Sequence, residues 1–212
     1  MLPAIYFIFS RRGCDKAVRD LGVQCLVNQE EQVRIKERLT AYSHDNPEAV
    51  RDGIHADALL RGISAHHAGV LPAWKELIEE LFQQGLVKVV FATETLAAGI
   101  NMPARSTVIA ALSKRTERGH RPLMGSEFLQ MAGRAGRRGL DPVGTVIIAA
   151  WENFPTESQT RALLTGRATK LESQFRLTYG MILNLMRVED LRVEDMLARS
   201  FCLLYTSPSP RD

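Results

Sequence analysis

The sequence predicts an α/β protein: a parallel sheet flanked by helices. Two observations carry that prediction. Short apolar runs rich in β-branched and aromatic residues recur at Ala4–Phe9, Val87–Ala92, Thr107–Leu112 and Thr145–Ala150, with Gly62–Ala65 a weaker fifth, and each has the length and composition of a buried strand. Helical patterns separate most of them, and strands that alternate with helices build parallel sheets.

Between the first two strands lies a long polar stretch, Asn28–Leu60, expected to be a helical insertion broken near Asn46-Pro47. The best-marked helix is Pro72–Gln84. Pro72 suits its first turn, Trp74, Leu77, Ile78, Leu81 and Phe82 form one apolar face, and Gly85 suits the stop. Trp74 and Phe82 share that face, so they are expected in the core and not as a base-stacking platform. After Ala150 the strand pattern ends, and Leu171–Met186 reads as an amphipathic helix that opens a second domain. Arg-Val-Glu-Asp occurs at 187–190 and again at 192–195, which is too little for a repeat architecture. The stretch 203–212 turns abruptly Ser/Pro-rich and is expected to be a non-native tail.

With 212 residues, 45% of them hydrophobic, the chain can bury a full core and part of a second domain. No run of about 18 apolar residues occurs, and the first five residues have no signal-peptide pattern, so export and membrane insertion are not expected. Cys14, Cys25 and Cys202 lack paired spacing and read as reduced thiols. The net charge of +3 is too small to identify a nucleic-acid binder, which moves attention to where the arginines cluster.

They cluster in Gln130-Met131-Ala132-Gly133-Arg134-Ala135-Gly136-Arg137-Arg138-Gly139. Arg134 and Arg137, three apart, are expected on one side of a helical turn, with Gly133 and Gly136 leaving space for close approach. Two fixed guanidinium groups beside a phosphate chain neutralise charge that grows during phosphoryl transfer. Alone, such a cluster is equally a solvated basic turn. The segment from Phe91 to Ala104 leaves a buried strand at the end where α/β sheets place ligands, and its hydroxyls and Gly99 allow a backbone to approach phosphates or ribose. Alone, it reads first as an ordinary strand-to-helix connection. His66 and His67 face opposite ways on a strand with no ligand set at metal spacing, so a structural or interface role is expected and no metal is assigned.

Together these two segments resemble motifs V and VI of the superfamily 2 helicases. Thr93-Glu94-Thr95, Asn101-Met102-Pro103-Ala104 and Gly133-Arg134-Ala135-Gly136-Arg137-Arg138-Gly139-Leu140-Asp141 look like the superkiller-type DExH-box RNA helicases, whose DNA-repair cousins usually carry proline at the position of Glu94. The stretches 5–15 (motif IV), 66–72 and 173–184 match the same family, so the resemblance spans about 2–201.

The resemblance implies a second RecA-like domain at 1–150 with a helical insertion at about 28–60, a linker at 151–172 and the start of a winged-helix domain at 173–202. It implies Arg134 and Arg137 as catalytic arginine fingers, Gly99, Asn101 and Gln130 as ATP contacts, and Ser10, Arg11 and Thr93 as contacts to the RNA backbone, with motif IV read as a strand and loop. No Gly-x-x-x-x-Gly-Lys-Ser/Thr and no Asp-Glu-x-His occurs, so ATP and Mg²⁺ are expected mainly on a first RecA-like domain in cis. The chain is accordingly expected to be a fragment, inactive alone. Expected partners are single-stranded RNA and an RNA-processing complex, in a bacterial cytoplasm or a plastid. A DNA helicase of the repair branch and a silent RNA- or protein-binding module remain open as alternatives, and Glu94 and Met102 favour RNA over DNA.

Overall fold

The computed structural model describes residues 1–46, 53–98, 102–116, 119–149, 156–165, 178–185 and 187. Strands β1 (Ala4–Phe7), β2 (Ile63–His66), β3 (Val89–Ala92), β4 (Ser106–Ile109) and β7 (Thr145–Ile148) form one sheet in the order β2-β3-β1-β4-β7, with every pairing parallel. All five expected strands are present; four are shorter than their apolar runs, and β2 keeps the length of Gly62–Ala65 but starts one residue later. Val87 is buried and Leu112 nearly so, but both belong to connections packed on the core.

Helices α1 (Arg11–Asp20), α2 (Gln29–Asp45), α3 (Gly53–Leu60), α4 (Pro72–Gln83) and α5 (Gly125–Ala132) accompany the sheet, followed by α6 (Glu157–Thr165). Alternate residues of the strands face opposite layers. Ile5, Phe7, Val90 and Ala92 join Ile35 of α2, Leu59 of α3, the apolar face of α4, and Phe128 and Met131 of α5. Tyr6, Ile8, Val89, Phe91, Ile63 and Ala65 pack with Cys14 and Val18 of α1. A sheet covered on both faces needs strands that are apolar throughout, which is why the runs were continuous and not alternating. Trp74 and Phe82 are buried in the core, and Gly85 follows α4 with φ +72, the left-handed stop that glycine permits.

The polar stretch 28–60 contains α2 and α3. Asn28 starts α2 with a full capping box, its side chain accepting from Glu31 N while Glu31 accepts from Asn28 N. Between β4 and α5 stands an element the sequence reading missed, an antiparallel hairpin of β5 (Ser113–Thr116) and β6 (Gly119–Pro122). Helix α6 lies within the stretch expected as a linker. The chain divides into two compact units, Met1–Ala168 and Thr169–Asp212; in the second, the described helix is α7 (Tyr179–Leu185), inside the amphipathic segment read from the sequence. No described helix is long and apolar enough to cross a membrane.

Candidate nucleic-acid interface

Parallel strands deliver their C-terminal ends to one edge of the sheet, and the loops there build the site. Ser10 follows β1 and Thr93 follows β3. Both line one cleft of about 440 Å³, together with Phe9, Arg11, Ala68, Glu94, Thr95 and, from the hairpin, Lys114, Arg115, Thr116 and Arg121. All three residues expected at the RNA backbone thus meet at one place.

Their local roles differ from the expectation of a strand and loop. Ser10 is the N-cap of α1, its Oγ accepting from Gly13 N at 3.2 Å, and Arg11 is the first residue of that helix. A serine hydroxyl has a further acceptor lone pair and one hydrogen to donate, so the cap leaves Ser10 able to contact a phosphate. The Thr93 hydroxyl lies 2.9 Å from that of Thr95.

The cations of the cleft divide into two classes. Glu127 of α5 accepts from Arg121 through both carboxylate oxygens (2.6 and 2.9 Å), from Lys114 at 2.7 Å and from Met124 N at 2.9 Å. Lys114 also bonds Glu94 at 2.6 Å. Burial pushes the Glu127 carboxyl up, but the Arg121 and Lys114 hydrogen bonds outweigh it and hold it down at about 2. For Lys114, burial works against the charged form and the two carboxylates reverse it, leaving its pKa raised. Arg11 and Arg115, by contrast, have no carboxylate in ion-pair reach among the described residues, and both are exposed.

Arg134 and Arg137 lie elsewhere, after α5, and not on one helical turn as the spacing suggested. The helix ends at Ala132, Arg134 sits in a tight turn, and the chain then pairs with the stretch before β4: Ala104 N donates to Arg134 O and Gly136 N to Ala104 O. Gly136 takes φ +89, and a Cβ on Gly144 would lie 2.5 Å from the Ala135 carbonyl carbon. The close approach here is between Gly136 and Gly144, and the positive φ of Gly136 with the Ala104–Ala135 pairing takes the chain out of a helix. Arg134 Nη2 donates to Ala97 O at 2.5 Å. Arg137 grips Asp141 side-on, Nε to Oδ2 at 2.7 Å and Nη2 to Oδ1 at 3.0 Å, while its backbone N also donates to Oδ2. Those hydrogen bonds hold the Asp141 carboxyl at about 2 and raise the pKa of Arg137. Gln130 is exposed on α5, whereas Gly99 and Asn101 lie outside the described residues.

The adjacent histidines bind different helices, as opposite-facing neighbours should. His66 Nε2 lies 2.9 Å from Glu79 of α4, and His67 Nε2 lies 2.8 Å from Asp15 of α1. No group of three or more His, Cys, Asp or Glu among the described residues is arranged to hold a metal ion. The sequence reading missed Lys114, Arg115, Arg121, Glu127 and Asp141. The hairpin strands Ser-Lys-Arg-Thr and Gly-His-Arg-Pro have no apolar alternation, so the signal by which strands are found was absent.

Residues 48–139 match the model of the helicase conserved C-terminal domain. The chain is 47% identical over 208 residues to the DExH-box ATP-dependent RNA helicase DExH11 of Arabidopsis thaliana, covering 95% of this chain and 15% of that protein. It is 46% identical over 204 residues to Superkiller complex protein 2 of Homo sapiens (94% and 16%), and 50% over 186 residues to the chloroplastic DExH-box ATP-dependent RNA helicase DExH15 of Arabidopsis thaliana (88% and 16%). The chain therefore spans about a sixth of the length of these relatives. Its parallel sheet flanked by helices agrees with the RecA-like α/β fold of that domain. The chain carries a helicase conserved C-terminal domain and is a homologue of the superkiller-type DExH-box RNA helicases.

Proposed function

We propose that this chain is the C-terminal motor domain of an ATP-dependent RNA helicase, gripping the RNA backbone in the cleft at the sheet edge and supplying Arg134 and Arg137 to the γ-phosphate. The observation that carries the reading is the cleft: Ser10, Arg11 and Thr93, far apart in sequence, line it together with the uncommitted Arg115. Hydroxyls and guanidinium groups suit phosphate and ribose, and a grip on that backbone carries no sequence information, so RNA of any sequence binds about equally. The relatives named as RNA helicases favour RNA over DNA.

The donor set after α5 fits a phosphate. The grip of Asp141 uses Nε and one hydrogen of Nη2, and leaves Nη1 of Arg137 to reach a phosphate oxygen. ATP supplies the phosphoryl group, held with Mg²⁺ mainly by a first RecA-like domain in cis; Gln130, with Gly99 and Asn101, contacts it from this side. An RNA-processing complex is the proposed setting, in the cytoplasm or a plastid.

The test compares this chain alone with the full-length protein that contains it. The chain alone is expected to bind single-stranded RNA, more weakly as salt rises, without hydrolysing ATP. The full-length protein is expected to show RNA-stimulated ATPase activity. Turnover by the purified chain itself would overturn the division of labour.

A further inference from the structure

We infer that Lys114 and Glu94 are positioning residues that transmit occupancy of the cleft to the arginine segment. The short 3₁₀ helix Glu94–Ala98 begins directly after Thr93 and is tied to the α5 segment near both ends. At its start, Glu94 bonds Lys114 Nζ at 2.6 Å, and the same Nζ lies 2.7 Å from Glu127 in the first turn of α5. Towards its end, the carbonyl of Ala97 accepts from Arg134 at 2.5 Å, two residues beyond α5. One turn therefore bears on the cleft, and a two-point clamp joins it to the helix that leads into Arg134 and Arg137.

The clamp is stiffest at its α5 end. The Lys114 side chain is 13% exposed and that of Glu127 16%, so water and salt screen their pairing little, whereas the Glu94 side chain is 41% exposed and makes the softer joint, with the Ala97–Arg134 hydrogen bond as the second tie. Glu127 is fixed further by Arg121 and by capping α5 through Met124 N. A displacement of the Thr93–Glu94 backbone by a bound phosphate is thereby passed towards α5 at two points, through Lys114 and through Arg134. Lys114 lines the cleft, but its ammonium is spent on two carboxylates, which makes it a link and not a grip.

This inference rests on the RNA and arginine-finger assignments above, so the experiment separates the two. In the full-length protein, the ratio of ATPase rate with saturating poly(U) to the rate without it is measured alongside poly(U) affinity and Tm, for Lys114→Met, Lys114→Arg, Glu94→Gln, the Glu94→Gln/Lys114→Met pair and Arg11→Ala. Lys114→Met is expected to lower the ratio about tenfold, within the usual span of coupling between sites, while affinity stays within about threefold. Lys114→Arg, which can also bridge two carboxylates, restores most of the ratio, and the double variant loses little more than either single one. An unchanged ratio in Lys114→Met, or a loss that Lys114→Arg does not rescue, overturns the link. Should Lys114→Met fail to fold, Glu94→Gln carries the same test alone. Arg11→Ala with undiminished affinity overturns the cleft assignment instead; lost affinity there beside an intact ratio in Lys114→Met removes the link alone.

Discussion

Four cations among the described residues line the cleft, and they fall into two pairs that a charge count would treat alike. Lys114 and Arg121 are bound by Glu94 and Glu127, while Arg11 and Arg115 have no acidic partner among the described residues. The first pair holds protein to protein; the second is free to replace counterions on a phosphate chain. Arg137 stands between these classes, held by Asp141 on one edge with the other left open. What marks a candidate phosphate contact is therefore the hydrogen-bonding capacity that remains after the protein has used its share.

The largest expected effect falls on the half-committed arginine. In the full-length protein, Arg137→Lys keeps the charge but loses the fork that can hold Asp141 and a phosphate oxygen at once. Arginine fingers contribute roughly 10³–10⁵ in rate, so ATP turnover at saturating RNA is expected to fall by about 10³ while RNA affinity changes little. Arg134→Lys acts in the same direction with a smaller deficit. Normal hydrolysis with lost RNA affinity in Arg137→Lys would move this residue into the gripping class.

Next comes the committed pair. Glu127 has its pKa lowered from 4.5 to about 2, so its stabilisation is complete above about pH 4.5 and is lost as pH falls through about 2. A shift of that size corresponds to about 3 kcal/mol at neutral pH. Glu127→Gln is expected to lower stability by about that amount in urea unfolding at pH 7, and to flatten the loss of stability between pH 4.5 and 2. An acid limb as steep as that of the unchanged protein would mean that Glu127 is not the group that titrates.

These two cases also mark what the sequence made legible. The strands could be read because a sheet covered on both faces must be apolar throughout, and α4 because one face of it is buried. Thr93 is proposed from the rule that ligands meet strand ends joined to the family resemblance, Ser10 and Arg11 from the resemblance alone, and the fold brings the three to one cleft. The hairpin escaped because polar strands exposed to solvent leave no hydrophobic period. The arrangement of Arg134 and Arg137 escaped because their spacing of three suits a helical turn, whereas a backbone approach between Gly136 and Gly144, decided by tertiary packing, sets the chain there. Glu127 and Asp141 were invisible as partners for the same reason: which cation a carboxylate takes depends on the fold around it.

A smaller effect is expected from the free pair. Each of Arg11→Ala and Arg115→Ala removes about one phosphate contact, so single-strand affinity falls by about 1 kcal/mol for RNA of any sequence, and the slope of log K against log salt drops by about 0.7. Lys114→Ala leaves that slope nearly as it was, since its ammonium contacts two carboxylates and no phosphate. A slope that fell as much for Lys114 as for Arg115 would erase the distinction between the pairs. A preference among bases that changed in Arg11→Ala would show that this residue reads sequence.

The smallest effect tests whether proximity or surroundings decide the worth of an ion pair. Lys16 Nζ lies 2.5 Å from Asp20 on α1, closer than the 2.7 Å between Lys114 and Glu127. By distance alone the surface pair should be the stronger. Its side chains, however, are 69% and 58% exposed, against 13% and 16% for the pair at α5. Water solvates both charges of Lys16–Asp20 almost as well unpaired, salt screens what attraction is left, and holding two long side chains in one geometry costs entropy, so pairs of this kind contribute about 0.3–0.5 kcal/mol. Lys16→Ala is therefore expected to shift urea stability by less than about 0.5 kcal/mol, with alanine's helix propensity offsetting part of the loss, and the small remainder vanishes in 1 M salt. A loss of several kcal/mol on Lys16→Ala, comparable to Glu127→Gln, would mean that distance outweighs exposure in this protein, and the division between committed and free cations would have to be redrawn on bond lengths.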